Sequence, residues 1–572
     1  MKRLSQYLTS HAVTVAAGLL FVLLILAIAT DRKDWWGISS ITYLSPFLKS
    51  GLALLALVCL LASLLGFFAK LPGLKRFSRY AWLLLLALTV GLFVLREALP
   101  LLGDGWLLIG LTEHCASSFP VWTYDRPEPL GLVFFASIRL LSGLDSQTLY
   151  QVISVLAAVV ILLAFMGFGH RLKMPAEYRW LLGVPLFTSA SLTLFAGYIE
   201  SYPLLVAIWT LLLLYAAAGI QERSLPFWPL LAAVPVLFFW HYLSLILFPV
   251  IAFTGVLRLR KTELTAKNFI FSLSGIFALL LLIYLLTPLR DGVKWILPLL
   301  PAHTFDGYSL LSLHHLTDLL WELILAAPLA PFFVLTAWML RRDLGRDAGF
   351  QILALAALLG LAAAFVFDPE LGMARDWDLL ATMFLPLNIW AGYAMAKVKP
   401  SLLLRRRIAG VAFVPLLTVA LPLIIVNHRA DLSMKRFETL LSVHPERSAY
   451  GWEILAETVG RGDPKTSLTY LENASKVSTN PRYLQNIAAL ALELGQREKA
   501  YRAVSKLRDA TPRNFLEANA YFFFFLEFAF LDNAERMIPF LEKLAPTGED
   551  LTDHKALLAQ VKSDLARQRT PK

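Results

Sequence analysis

Long apolar runs separated by short charged loops fill the chain to about residue 426, and a shorter amphipathic period replaces them from about Leu432. Runs of membrane-spanning length fall near 12–30, 50–69, 81–99, 150–169, 180–197, 200–219, 227–240, 242–257, 268–287, 317–340, 349–367, 379–396 and 408–426. The run 129–142 is shorter and follows Pro127-Glu128-Pro129, which predicts a half-inserted or surface helix. The expected fold is all-α, a polytopic transmembrane helical bundle of about 13 spans followed by a soluble helical domain.

In that second part, Leu484, Ile487, Ala488, Leu494-Gly495, Ala500, Val504, Leu507 and Pro512 follow a helix-turn-helix period. Small residues recur at Ser467, Ala500 and Ala534, spaced 33 and 34 residues apart. This predicts a tetratricopeptide-like stack, whose concave face would receive a protein partner. The segment Tyr521–Phe530 is apolar on every side. It reads as a helix buried between repeats, or as rings that dock on the membrane.

Composition agrees with the pattern. The chain has 572 residues, is 58% hydrophobic and has a mean hydropathy of +0.63, a level that marks a polytopic membrane protein. Its net charge of +11 divides into +9 over residues 1–426 and +2 over 427–572. The basic excess therefore belongs to membrane loops, and no nucleic-acid partner is expected. Counted over short loops, one side of the membrane receives 22 Lys and Arg and the other 9. The positive-inside rule puts the first side, with the N-terminus, in the cytoplasm. The C-terminal domain then lies outside, periplasmic if the membrane is a bacterial inner (plasma) membrane. Lys2 and Arg3 ahead of a long apolar stretch read as a retained first span rather than a signal peptide. Cys59 in an apolar run and Cys115 in a loop predict neither a disulfide nor a metal cluster.

The acids sort opposite to the basic residues. Glu97, Asp104, Glu113, Asp125, Glu128, Glu200, Asp368, Glu370, Asp376 and Asp378 all fall on the outer side. Acids at a bilayer edge are costly unless they face water, a partner or a substrate, so a polar outer face is expected. Asp104 stands between Gly103 and Gly105 and is the candidate general base, or else a helix cap. Glu200, in Gly197-Tyr198-Ile199-Glu200-Ser201-Tyr202-Pro203, reads as a catalytic or sugar-binding acid or one half of an ion pair, with Tyr198 as a substrate contact. Arg375 is the one cation in 368–378, and its planar fork suits a phosphate or pairs with a neighbouring Asp. Trp377 stacks on a sugar or anchors at the interface. Asp376 and Asp378, a pair of carboxylates, offer a place for a divalent ion, Mg or Mn, as an alternative to solvation; no other cofactor is expected. Trp240-His241-Tyr242 supplies an interfacial anchor or a binding histidine. Arg290, with Lys294, is a secondary phosphate contact. His314-His315, Asp318 and Glu322 read as a solvated helix start.

The acid after an early span, then a surface helix, then Tyr124-Asp125-Arg126-Pro127-Glu128-Pro129-Leu130 resemble the GT-C superfamily of membrane glycosyltransferases. The resemblance covers roughly 81–426. It implies three parts: extra spans over 1–80, a transmembrane catalytic domain over 81–426 and an extracytoplasmic repeat domain over 427–572. It also implies sugar transfer from a polyprenyl-phosphate donor, a membrane lipid, to a glycan or protein acceptor, with Arg126 and Glu128 near the substrate. A single acid lies beside these glycines where many members carry an adjacent pair, so a metal does not follow from it. Competing expectations are a lipid-linked polysaccharide polymerase or ligase, and a non-catalytic transporter or repeat-bearing scaffold.

Overall fold

The computed structural model describes residues 2–65, 81–118, 128–222, 224–260, 306–460, 462–546 and 549–569, with 267, 269–270, 273–278 and 281. The described residues are helical apart from turns, 3-10 segments and one isolated bridge residue. They divide into two compact units, Met1–Val443 and His444–Lys572.

The first unit holds α1 (Lys2–Ala29), α2 (Pro46–Leu64), α3 (Ala81–Val94), α4 (Gly105–Ser117), α5 (Pro129–Ser142), α6 (Ser146–Arg171) and α7 (Tyr202–Gln221). It continues with α8 (Trp228–Trp240), α9 (Tyr242–Leu259), α10 (Leu313–Ala326), α11 (Ala330–Leu340) and α12 (Ala348–Val366). It ends with α13 (Trp377–Val398), α14 (Leu402–His428) and α15 (Ala430–Leu441). Eight of these are long and apolar enough to cross a membrane, and nine if α10 and α11, bent by 75°, count as one span. That corrects the expected thirteen. Sequence-local caps set several starts: Ser45, Asp145, Asp347 and Ser401 each accept from a backbone N–H three residues on, satisfying a donor the helix cannot. α13 is the centre. Its apolar window is 89% buried, and it packs on α7, α10, α11 and α12.

The missing spans have physical explanations. Run 180–197 forms three short turns, Ala176–Leu182, Val184–Phe187 and Ala190–Phe195. Pro185 and the Ser189 hydroxyl, which caps Ser191 N–H, stop a helix from propagating there. The segment nevertheless returns the chain across the unit. Arg171, ending α6, pairs with Glu222 just past α7 at 3.1 Å, whereas Ser154, about 25 Å back along α6, donates to Leu194 O at 2.8 Å and accepts from Tyr198 N–H at 3.0 Å. Irregular backbone is tolerated at such depth only when buried in protein, and residues 189–201 are buried throughout. α8 has 13 residues, about 20 Å, short of a bilayer core. α3 stops at Val94. Run 268–287 lies largely outside the described residues. α5 is one of the shorter apolar helices, as its pattern predicted.

The break between α10 and α11 is also paired: Ala326 O accepts from Asn388 Nδ2 at 2.9 Å and Ser191 Oγ at 3.2 Å. At the start of α10 His314 is exposed, as expected, but His315, Asp318 and Glu322 are buried rather than solvated. Trp36 Nε1 and Tyr308 OH both donate to Asp318, each at 3.0 Å. These tertiary partners, distant in sequence for Trp36, take the place of water. Cys115 likewise lies buried inside α4 rather than in a loop.

The second unit is a paired-helix region. α16 (Ala449–Gly460) packs on α17 (Pro464–Val477), α18 (Pro481–Glu493) on α19 (Arg497–Leu507), and α20 (Phe515–Glu527) on α21 (Leu531–Leu544). The last helix is α22 (Thr552–Arg569). Ser467, Ala500 and Ala534 are buried where paired helices approach. Tyr521, Phe522 and Phe525 enter the shared core, while Phe523 is 45% exposed.

Close packing around α13 yields a prediction. A Cβ on Gly392 would sit 2.4 Å from Leu182 O, against backbone that cannot yield, whereas a Cβ on Gly91 would meet nothing within 4 Å. Gly392→Val should cost about 1–3 kcal/mol or more. Gly91→Ala should be neutral or stabilising by up to ~1 kcal/mol. Thermal unfolding of the purified full chain in detergent, followed by tryptophan fluorescence, reads both.

Candidate functional site

The two acidic loops that the sequence singled out meet backbone to backbone. Gly103 N–H donates to Arg375 O at 3.0 Å. Gly103 has φ +59, and a Cβ there would lie 2.5 Å from Asp378 Oδ2 and 2.7 Å from Glu200 Oε1. Glycine is required twice over, for the left-handed backbone and for the space. The next residue, Asp104, donates its backbone N–H to Glu200 Oε1 at 2.5 Å. Its side chain is exposed and, although it stands at the N-cap of α4, makes no capping hydrogen bond. Behind it, Gly105 has no room for a Cβ, which would sit 2.5 Å from Ile199 O.

Around this junction the side chains interlock. Glu200 Oε2 accepts from Ser201 N–H at 3.3 Å, and Ser201 Oγ donates to the Glu128 carboxylate. Tyr198 OH donates to Asp378 Oδ2 at 3.3 Å, and its ring meets Trp377 edge-on at 5.6 Å. Asp376 Oδ2 accepts from Leu371 N–H at 3.0 Å, and Arg375 donates to Leu371 O. Glu97 Oε2 accepts from Ile199 N–H at 3.1 Å, fixing the residue before Glu200.

The structure thus brings together Asp104, Glu200, Glu128, Tyr198, Arg375, Asp376, Trp377 and Asp378. Trp377 is fully buried and Arg375 nearly so. His241 lies one layer back, its ring 5.4 Å from that of Tyr202, with Nδ1 accepting from Leu243 N–H at 3.1 Å. Burial lowers its pKa to about 4, so at neutral pH it adds no positive charge. Arg126 and Arg290, with Tyr124, Asp125 and Lys294, lie outside the described residues. Sequence reasoning missed Glu97 as a support, and it missed Arg436, a buried cation on α15 within electrostatic range of Tyr198. Only the position of Glu97 at the end of an apolar run marked it. Arg436 carries no signal, because an arginine on an amphipathic helix normally faces solvent.

Crowding of carboxylates sets the electrostatics. Burial, then the charges of Asp378 and Asp104, hold the Glu200 pKa well above the usual carboxylate range. Such a group sheds its cost by keeping a proton or gaining a cation. Asp378 Oδ1 is buried with no hydrogen-bond partner among the described residues, and carboxylate oxygens are the donors hard divalent ions prefer. Glu200 and Asp378 thus offer oxygen donors of the kind that Mg or Mn takes, whereas Asp376 Oδ2 is taken by the Leu371 N–H. An apolar cavity of about 510 Å³ runs beside α13, lined by Leu320, Leu323, Leu361, Phe365, Phe384 and Leu387 among others. It is shaped by α10–α13 and has almost no polar lining.

Glu97 gives the site a pH dependence. Burial raises its pKa from 4.5 to about 8, offset in part by the Ile199 N–H and reinforced by Asp378. A carboxyl whose folded-state pKa is raised contributes stability that is fully present below pH 4.5 and is lost as pH rises through 8, an effect on the order of a few kcal/mol. Melting temperature in detergent should therefore fall from pH 5 to 8.5. Glu97→Gln keeps an acceptor for Ile199 and should flatten part of that slope. An unchanged slope would refute the assignment.

Compared with protein-family models, curated proteins and solved structures, the chain matches none.

Proposed function

We propose that the chain is a membrane glycosyltransferase of GT-C type, moving a sugar from a polyprenyl-phosphate donor to a glycan or protein acceptor. The observation that carries this reading is the exposed Asp104 carboxylate held over the buried Glu200 and Asp378 at the ends of the spans. Basic residues gather at the opposite ends of the same helices, so the positive-inside rule favours an outward-facing site. In the reaction Asp104 accepts the proton of the acceptor hydroxyl, whose oxygen attacks the anomeric carbon. The carbon–phosphate-oxygen bond breaks and the polyprenyl phosphate departs with both electrons. Glu200 positions Asp104 through its backbone N–H. A divalent ion bound by Glu200 and Asp378 would supply positive charge toward the leaving phosphate. The apolar cavity along α13 suits the donor's isoprenoid chain, and the paired helices of the second unit, read as tetratricopeptide-like, would hold the acceptor or a partner protein.

One observation favours a transporter instead. The 75° break between α10 and α11, with Asp318 and Glu322 buried on α10, has the form of a discontinuous helix bearing ionisable groups.

Asp104→Asn should lower sugar transfer by about 100-fold or more, with Glu200→Gln and Gly103→Ala also impaired. The assay is transfer from polyprenyl-phosphate sugars in membranes carrying equal amounts of each variant. Full activity of the Asp104 variant would remove the base assignment. Absent transfer by the parent chain, together with movement of lipid-linked sugar across reconstituted vesicles, would support the transporter.

A further inference from the structure

At the basic ends of the spans lies a second built feature. A cavity of about 910 Å³ is lined by His170, Arg171, Lys173, Arg179 and Glu222, among others. An apolar groove of about 340 Å³, lined by Val160, Leu163, Phe168 and Leu211, shares Gly167 and Arg171 with it. The charged-residue pocket and the groove therefore adjoin along α6 and α7. Three cations face one acid there, and that acid, Glu222, is already paired with Arg171 at 3.1 Å. Arg179 Nε donates to Met174 O at 3.0 Å. The Lys173 ammonium has no hydrogen-bond or ion-pair partner among the described residues.

Two local choices keep this feature open. α6 ends in a turn where Lys173 N–H donates to His170 O at 2.9 Å and Met174 N–H to Gly169 O at 3.1 Å. That turn places its closing residue in the left-handed region, which favours glycine. Here lysine occupies it, with φ +55. Glycine stands instead at 167, inside the helix, where a Cβ would meet nothing within 4 Å. The sequence thus puts a long cation where glycine would fold more easily, and a notch where any side chain would fit.

We propose that this pocket and groove bind one anionic glycerophospholipid, its phosphate on Lys173 and Arg171 and an acyl chain in the groove past Gly167. Charge complementarity selects the headgroup, since basic pockets between spans favour anionic lipids. The groove selects a lipid over a free phosphate. This inference does not depend on the glycosyltransferase reading.

The test uses the full chain in neutral detergent, with phosphatidylglycerol, phosphatidylcholine or glycerol phosphate added, read by native mass spectrometry and by thermal shift. Retention of one phosphatidylglycerol, with neither of the others retained, is expected. Lys173→Gly should weaken that binding about fivefold while leaving the lipid-free melting temperature equal or higher. Gly167→Leu should weaken it without removing a charge. Equal retention of phosphatidylcholine would overturn the proposal, and so would retention of glycerol phosphate alone. Unchanged phosphatidylglycerol binding in both variants would also overturn it.

Discussion

The hydrogen bond from Gly103 N–H to Arg375 O, 3.0 Å long, ties the loop after α3 to the loop before α13. Everything distinctive about the acidic end of the first unit follows from how closely those two loops approach. A side chain at 103 would collide with two carboxylates, so the approach brings like charges together. They stay together because each has a backbone or hydroxyl donor: Asp104 and Ser201 N–H for Glu200, Tyr198 OH for Asp378, Ile199 N–H for Glu97. Such donors compensate part of the desolvation cost but not the mutual repulsion. The remainder creates a demand for protons or cations, and that demand gives the site its chemical character.

The same approach explains why segment 172–201 is irregular. A straight helix would deliver its C-terminus with outward-splayed carbonyls, whereas Tyr198 N–H, Ile199 N–H and the Glu200 carboxylate must all point inward. Three short turns followed by Gly197 at φ +59 accomplish this. Irregular backbone here is affordable because α6, α7, α13 and α14 pack against it and residues 189–201 are buried throughout.

That enclosure marks the limit of what the sequence could reveal. Apolar composition identified a membrane protein, and helical spacing with recurring small residues identified the paired helices after residue 443. Glycines flanking an acid marked the tight turn at Asp104, where neither Gly103 nor Gly105 has room for a Cβ. The run 180–197 was indistinguishable from a span, because burial in lipid and burial in protein select the same side chains. His315, Asp318 and Glu322 looked solvated for the converse reason: polar residues at a helix start usually meet water, and only the fold shows Trp36 arriving from the N-terminal region to bond Asp318. Asp378 was visible as an acid but not as the partner of Tyr198, 180 positions earlier in the chain.

Charge segregation connects the two ends of the unit. α7 starts beside Glu200 and ends beside Arg171, and α13 starts at Asp378 and ends at Lys397, whose ammonium donates to Leu172 O at 3.2 Å and Gln221 Oε1 at 2.9 Å. Each of these helices carries acid at its N-terminus and is met by cations at its C-terminus, so side-chain charge and helix dipole agree in sign at both ends. The acids lie where the positive ends of two helix dipoles converge, which lowers the cost of crowding them. A helix running the other way through the same position would add its negative end to five nearby carboxylates. The parallel course of α7 and α13 is thus a condition for the acidic site, and the irregular return through 172–201 is what allows α6 and α7 to run parallel as well.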